Sequence, residues 1–120
     1  MQPFERAAGQ PYRVGYGRTM SEAPLPGPAC TTMIEVRAGV DQVDRELVAL
    51  LALRFAYMDA AARIKPGRDA VRDEGRKAQV IANARAEAVA LGVPEAVVGD
   101  LWETLVEASI AYELAAFDRR

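Results

Sequence analysis

Histidine is absent from this 120-residue chain, and cysteine occurs once, at Cys30. A zinc site built from cysteine and histidine is therefore excluded, because tetrahedral zinc draws its ligands from those side chains. A Ser-His-Asp triad and a Cys-His pair fall with histidine. One cysteine cannot form a disulfide within the chain, which fits a reducing cytoplasm. Long apolar runs are missing too. The longest, Leu47 to Leu53, is far too short to cross a bilayer. The N-terminus carries no apolar stretch of the kind a secretory signal needs, and a cytoplasmic location is expected. There is no surplus of positive charge: 15 basic and 17 acidic residues give a formal charge of −2. That balance argues against nucleic-acid binding.

What is present is an apolar fraction of 51% and a charged fraction of 27%, ordinary for a soluble domain. A chain of this size holds one domain with a limited core, so an oligomer interface would help it. Residues 1–32 read as a flexible tail, ordered at most near its end. Five of the seven prolines lie there (Pro3, Pro11, Pro24, Pro26, Pro28), and no helical or strand period is sustained. Met20 is an alternative start within it.

From Met33 a helical domain is expected through residue 120. Val36, Val40, Val43, Leu47, Leu50/Leu51, Arg54, Met58, Ala61 and Lys65 follow spacings of three and four. They form one stripe of a helix roughly 45 Å long, ended by Pro66-Gly67. Asp73 suits the N-cap of a second helix to Leu91, and Gly92 the left-handed position after it. Pro94 suits the first turn of a third helix to about Phe117. Its expected stripe is Val98, Leu101/Trp102, Leu105, Ser109, Tyr112/Glu113 and Ala116. The fold class is all-α, a three-helix chain of long, medium and long helices. The first helix exceeds the width of a compact domain with a radius of gyration of about 13 Å. Part of its stripe needs cover from another chain, and an intertwined homodimer that shares helices supplies it.

Most charges suit a solvated helix surface, among them Glu35, Asp41, Asp44, Arg45, Glu87 and Asp118. The informative ones interrupt the apolar stripes. Arg54 and Lys65 are eleven residues apart, about 20° around the helix and about 16 Å along it, so they share a face. A buried cation needs an anion. Ser109 and Glu113 stand one turn apart on the third helix, and Asp73 and Arg76 open the second. Read structurally, Ser109 bonds a carbonyl and Glu113 pairs with a cation. Read functionally, they form a polar patch facing Arg54 and Lys65. Arg37 is seventeen residues before Arg54, about 100° away around the helix, and cannot share its face within one chain.

Segments 34–44, 50–54, 61–65, 71–76 and 107–113 resemble the all-helical chorismate mutases, including their isochorismate-pyruvate lyase branch. The specific element is an arginine, a second seventeen residues on and a lysine eleven after that: Arg37, Arg54 and Lys65. The resemblance implies a small dianionic substrate, shared active sites in a homodimer, no cofactor and no metal. It also implies a place in aromatic amino acid biosynthesis. Arg37 resembles the arginine that enters the partner's site, and Arg54 the one that grips a carboxylate. Lys65 resembles the lysine that touches a carboxylate and the ether oxygen of the breaking bond. Asp73 and Arg76 resemble the pair near the ring end and the side-chain carboxylate, and Ser109 a further substrate contact. Glu113 takes the place of the second donor to the ether oxygen. Lys65, Glu113 and Arg54 are thus the expected catalytic set.

One departure is Lys77, which stands where relatives often carry a glutamate for the ring hydroxyl. It leaves chorismate, isochorismate and an amino analogue open as substrates. Segments 29–32 and 54–65 also resemble the lyase branch, which makes salicylate and pyruvate. Outside enzymes, the alternative is a non-catalytic helical dimerisation or regulatory module, in which protein carboxylates neutralise Arg54 and Lys65.

Overall fold

The computed structural model describes residues 24–120. Most of the expected flexible tail, and Met20 with it, lies outside the described residues. A single 3-10 turn, Gly27–Ala29, is closed by Ala29 N–H to Pro26 O at 2.9 Å and Cys30 N–H to Gly27 O at 3.0 Å. Three helices follow: α1 Met33–Ile64, α2 Glu74–Leu91 and α3 Glu95–Asp118. A second 3-10 turn, Arg68–Ala70, lies between α1 and α2. The described residues contain no strand, so the all-α long–medium–long plan is the observed one.

Local chemistry accounts for each boundary. At the start of α1, Thr32 Oγ1 accepts from Glu35 N–H at 3.2 Å. Glu35 Oε1 accepts in return from Thr32 N–H at 3.0 Å and Thr31 N–H at 2.9 Å. This reciprocal capping box satisfies donors that a helix start leaves unpaired. Glu35 is therefore a cap rather than idle surface, and the Thr31 and Thr32 donors hold its carboxyl below the usual range. Pro66 stops α1. Asp73 Oδ1 caps α2 by accepting from Arg76 N–H at 3.0 Å. Gly92, at φ 73°, ends α2 with Val93 N–H on Ala88 O at 2.8 Å and its own N–H on Val89 O at 3.3 Å. That is the Schellman pattern, which favours glycine because the left-handed conformation crowds a Cβ. Pro94 stands one position before α3 rather than inside it.

The chain divides into two compact units, one ending at Ala52 and one comprising Leu53–Arg120. In the first, α1 presents Val36, Val40, Val43, Leu47 and Leu51, all exposed, at the spacing of the expected stripe. In the second, α3 packs on α2 around buried Val71, Val106 and Ile110, with Val80, Ile81, Trp102, Leu114 and Phe117 against them. The expected stripe of α3 is covered at Val98, Trp102, Leu105, Ser109, Glu113 and Ala116, and the buried face extends beyond it to Val106 and Ile110. Leu101 is exposed, while Val106 and Ile110 enter the core. Apolar residues cover more than one side of α3, so periodicity alone could not select the face that meets α2.

Replacing Gly92 with alanine should destabilise the fold by about 1 kcal/mol, the cost of placing a Cβ in the left-handed region. Urea denaturation should show a lower midpoint with an unchanged slope.

Candidate active site

Within the second unit, the last turns of α1 meet the middle of α3. Arg54 Nη1 donates to Ser109 Oγ at 2.6 Å. Ser109 Oγ donates in turn to Leu105 O at 2.7 Å, so the hydroxyl is oriented with its lone pairs toward the guanidinium. One turn further along α3, Glu113 Oε2 lies 2.7 Å from Lys65 Nζ. The ammonium also donates to Val71 O at 3.2 Å. Ser109 and Glu113 are 3% and 4% exposed, which makes them buried polar groups in an apolar helix face. Arg54 and Lys65, about 16 Å apart along the chain's first helix, thus each reach one of two α3 residues that are only about 6 Å apart.

The two halves of this patch differ electrostatically. Lys65 and Glu113 form an ion pair by distance, but the ammonium approaches outside hydrogen-bond geometry. Oε2, although buried, accepts no directed hydrogen bond. Arg54 faces no carboxylate at ion-pair distance among the described residues. Burial pushes its pKa down, and the nearby positive charge of Arg76 adds to that. Arg76 is exposed and donates from Nη1 to Gln79 Oε1 at 2.7 Å, again a neutral partner. Two guanidiniums thus repel each other with only a hydroxyl and an amide to receive them. Arg54, partly withdrawn from water, carries a cost that an anion would relieve, whereas Arg76 remains exposed.

The remaining predicted residues are distributed as follows. Asp73 is exposed, and its carboxylate is engaged in capping α2. Arg37 is exposed on the part of α1 that belongs to the first unit. Among the described residues, a carboxylate stands at ion-pair distance from Lys65 but not from Arg54.

Lys77 is held by Glu103 at 2.7 Å and Glu107 at 2.8 Å. Arg72 shares the same anchor, with Nη2 on Glu107 Oε1 at 2.8 Å. Glu107 is consequently held at about 2 by its hydrogen bonds to Arg72 and then Lys77. An open groove of about 410 Å³ runs past Lys77 between Glu74, Ile81, Arg85 and Glu103. It is lined by none of Arg54, Lys65, Ser109 and Glu113. Sequence reasoning missed Val71, Gln79 and Glu107 as partners of the site's cations. The two glutamates one turn apart on α3, Glu103 and Glu107, were a signal for a cation on the facing helix. A main-chain acceptor such as Val71 O leaves none. Asp118 is exposed, as expected, and receives Arg68 Nε at 3.0 Å on that surface.

An all-helical chain that sets an arginine and a lysine from one helix against a serine and a glutamate of another defines the class. The chain belongs to the chorismate mutase type II family, whose sequence pattern matches residues 36–114. That span contains Arg37, Arg54, Lys65, Asp73, Arg76, Ser109 and Glu113. Comparison with curated proteins gave no match, and comparison with solved structures gave none. No described helix is long and apolar enough to cross a membrane.

The depressed Glu107 carboxyl fixes the sign of a pH effect. Its contribution to stability is present above the ordinary glutamate pKa of 4.5 and is lost as pH falls toward about 2. The stability gap between the protein and its Glu107→Gln variant should be constant near neutrality and shrink across that window. Urea midpoints measured at stepped pH check this.

Proposed function

We propose that the chain is a chorismate mutase, converting chorismate to prephenate. The observation that carries the reading is the pair of guanidiniums, Arg54 and Arg76, that no described carboxylate neutralises. A substrate with two carboxylates supplies the missing charge. The reaction is a pericyclic rearrangement in which one carbon–oxygen bond breaks as a carbon–carbon bond forms within the same molecule. It requires no nucleophile, metal or obligatory base, so a site without histidine suffices. Arg54 and Arg76 hold the flexible dianion in its compact, chair-like conformer, an orientation effect. Lys65 donates to the ether oxygen as negative charge grows on it, and Glu113, when protonated, is the second donor. Preorganised donors of this kind are each worth about 3 kcal/mol.

Arg37 completes the site from a partner chain. The exposed stripe Val36, Val40, Val43, Leu47 and Leu51 supports a homodimer, because soluble monomers rarely leave so continuous an apolar face uncovered. A dimerisation module without activity would account for the Lys65–Glu113 pair but leaves Arg54 and Arg76 without an anion. The lyase reading shares the whole site. Lys77 favours keeping it, since two glutamates hold that ammonium where relatives present a carboxylate to the ring. Incubation with chorismate and isochorismate separately, with product identification, distinguishes the two.

Lys65→Ala should lower kcat on the order of 100-fold or more while the protein remains folded by circular dichroism. Full activity in that variant rejects the site. Glu113→Ala should lower kcat, and Glu113→Gln, which keeps a donor at that position, should not. Full activity in Glu113→Ala takes Glu113 out of the mechanism. Arg37→Ala and Arg54→Ala chains, each inactive alone, should recover activity when mixed. No recovery despite proven subunit exchange argues against shared sites.

A further inference from the structure

The sequence has two lysines, Lys65 and Lys77, and α3 glutamates hold both ammoniums. Lys65 differs in being held by its main chain as well. It follows the last residue of α1, where helix carbonyls run out of intrahelical donors. The Arg120 guanidinium fills that gap. Its Nη1 donates to Lys65 O at 2.7 Å and Ala62 O at 3.1 Å, with Arg63 O at 3.4 Å. A cation at this end also opposes the negative pole of the helix.

Arg120 is itself fixed. Its N–H bonds Phe117 O at 3.2 Å, and its guanidinium carbon lies 3.8 Å from the centre of the Phe117 ring. Phe117 packs on the Val71, Val106 and Ile110 core. Beside it, Arg68 is tied to Asp118. The C-terminal end of α3 thus clasps the main chain of Lys65 while Glu113, on the same helix, clasps its side chain.

We propose that Arg120 is a positioning residue that fixes the Lys65 ammonium for its donor role; this rests on the function proposed above. A donor aimed at one oxygen tolerates little displacement, since a shift of about 1 Å can cost on the order of 100-fold in rate. Lys65 has a flexible four-carbon stem, so its aim depends on where its backbone is held. The Arg120 fork supplies that reference from a core-anchored ring rather than from the α1–α2 connection itself.

The test has two readouts. With only two lysines, the ammonium NMR spectrum of the ¹⁵N-labelled protein is simple, and Lys77→Arg assigns it. Arg120→Ala should shift or broaden the Lys65 signal and leave that of Lys77 in place. In turnover, Arg120→Ala should lower kcat roughly 10- to 100-fold with little change in KM. Arg120→Lys should recover part of this, because an ammonium can still reach the Lys65 carbonyl. In a Lys65→Ala background, Arg120→Ala should cost nothing further. An unchanged Lys65 signal overturns the proposal. So does a variant that melts earlier yet keeps kcat when assayed while folded, or a loss that persists without Lys65. If the unaltered protein turns over neither chorismate nor isochorismate, the proposed function fails, and the ammonium signals still decide whether Arg120 positions Lys65.

Discussion

Two guanidiniums, Arg54 and Arg76, that no carboxylate among the described residues neutralises are the constraint on which this structure turns. Arg54 is partly withdrawn from water, and Arg76 stands near enough to make its positive charge more costly. Chains usually relieve such a clash by placing a carboxylate between the cations, as this one does for Arg72 and Lys77 with Glu107. Leaving Arg54 with a serine hydroxyl forgoes that relief. The cost is tolerable where a ligand supplies the charge, and it gives the ligand an interaction that no internal group competes for.

The rest of the fold makes that arrangement rigid. Ser109 and Glu113 are buried on a helix whose opposite contacts form the core, so their positions follow from packing rather than from loops. Ser109 is oriented by Leu105 O before it receives Arg54. Lys65 is held by Val71 O, by Glu113 and, through its own carbonyl, by Arg120. Donors fixed in advance, together with orientation of the substrate, are what the proposed rearrangement requires, because it has no covalent intermediate.

How much was legible in the sequence depended on the range of the interaction. Pro66, Asp73 and Gly92 act on their immediate neighbours, and each ends or starts its helix where its chemistry predicts. That Arg54 and Lys65 face Ser109 and Glu113 as a group was also accessible, because each pair lies on one stripe; which cation meets which partner was not. The buried face of α3 was legible in part. Val98, Trp102, Leu105, Ser109 and Glu113 lie on the expected stripe, while only the meeting with α2 adds Val106 and Ile110 and leaves Leu101 exposed. The Glu35 cap was overlooked because a charged residue near a helix start also suits plain surface. Arg120 was invisible for a different reason. It acts across more than fifty residues on main-chain carbonyls, which every residue possesses and no sequence pattern marks.

Binding of a dianion that mimics the compact transition state tests the central claim most directly. A bicyclic dicarboxylate of that shape should titrate calorimetrically at one molecule per chain. Arg54→Met should weaken it by about 10- to 100-fold, the effect of one charge-assisted contact of about 1.5–3 kcal/mol. Equal affinity in the protein and the variant, or no binding by either, would contradict the claim that these cations await a substrate's carboxylates.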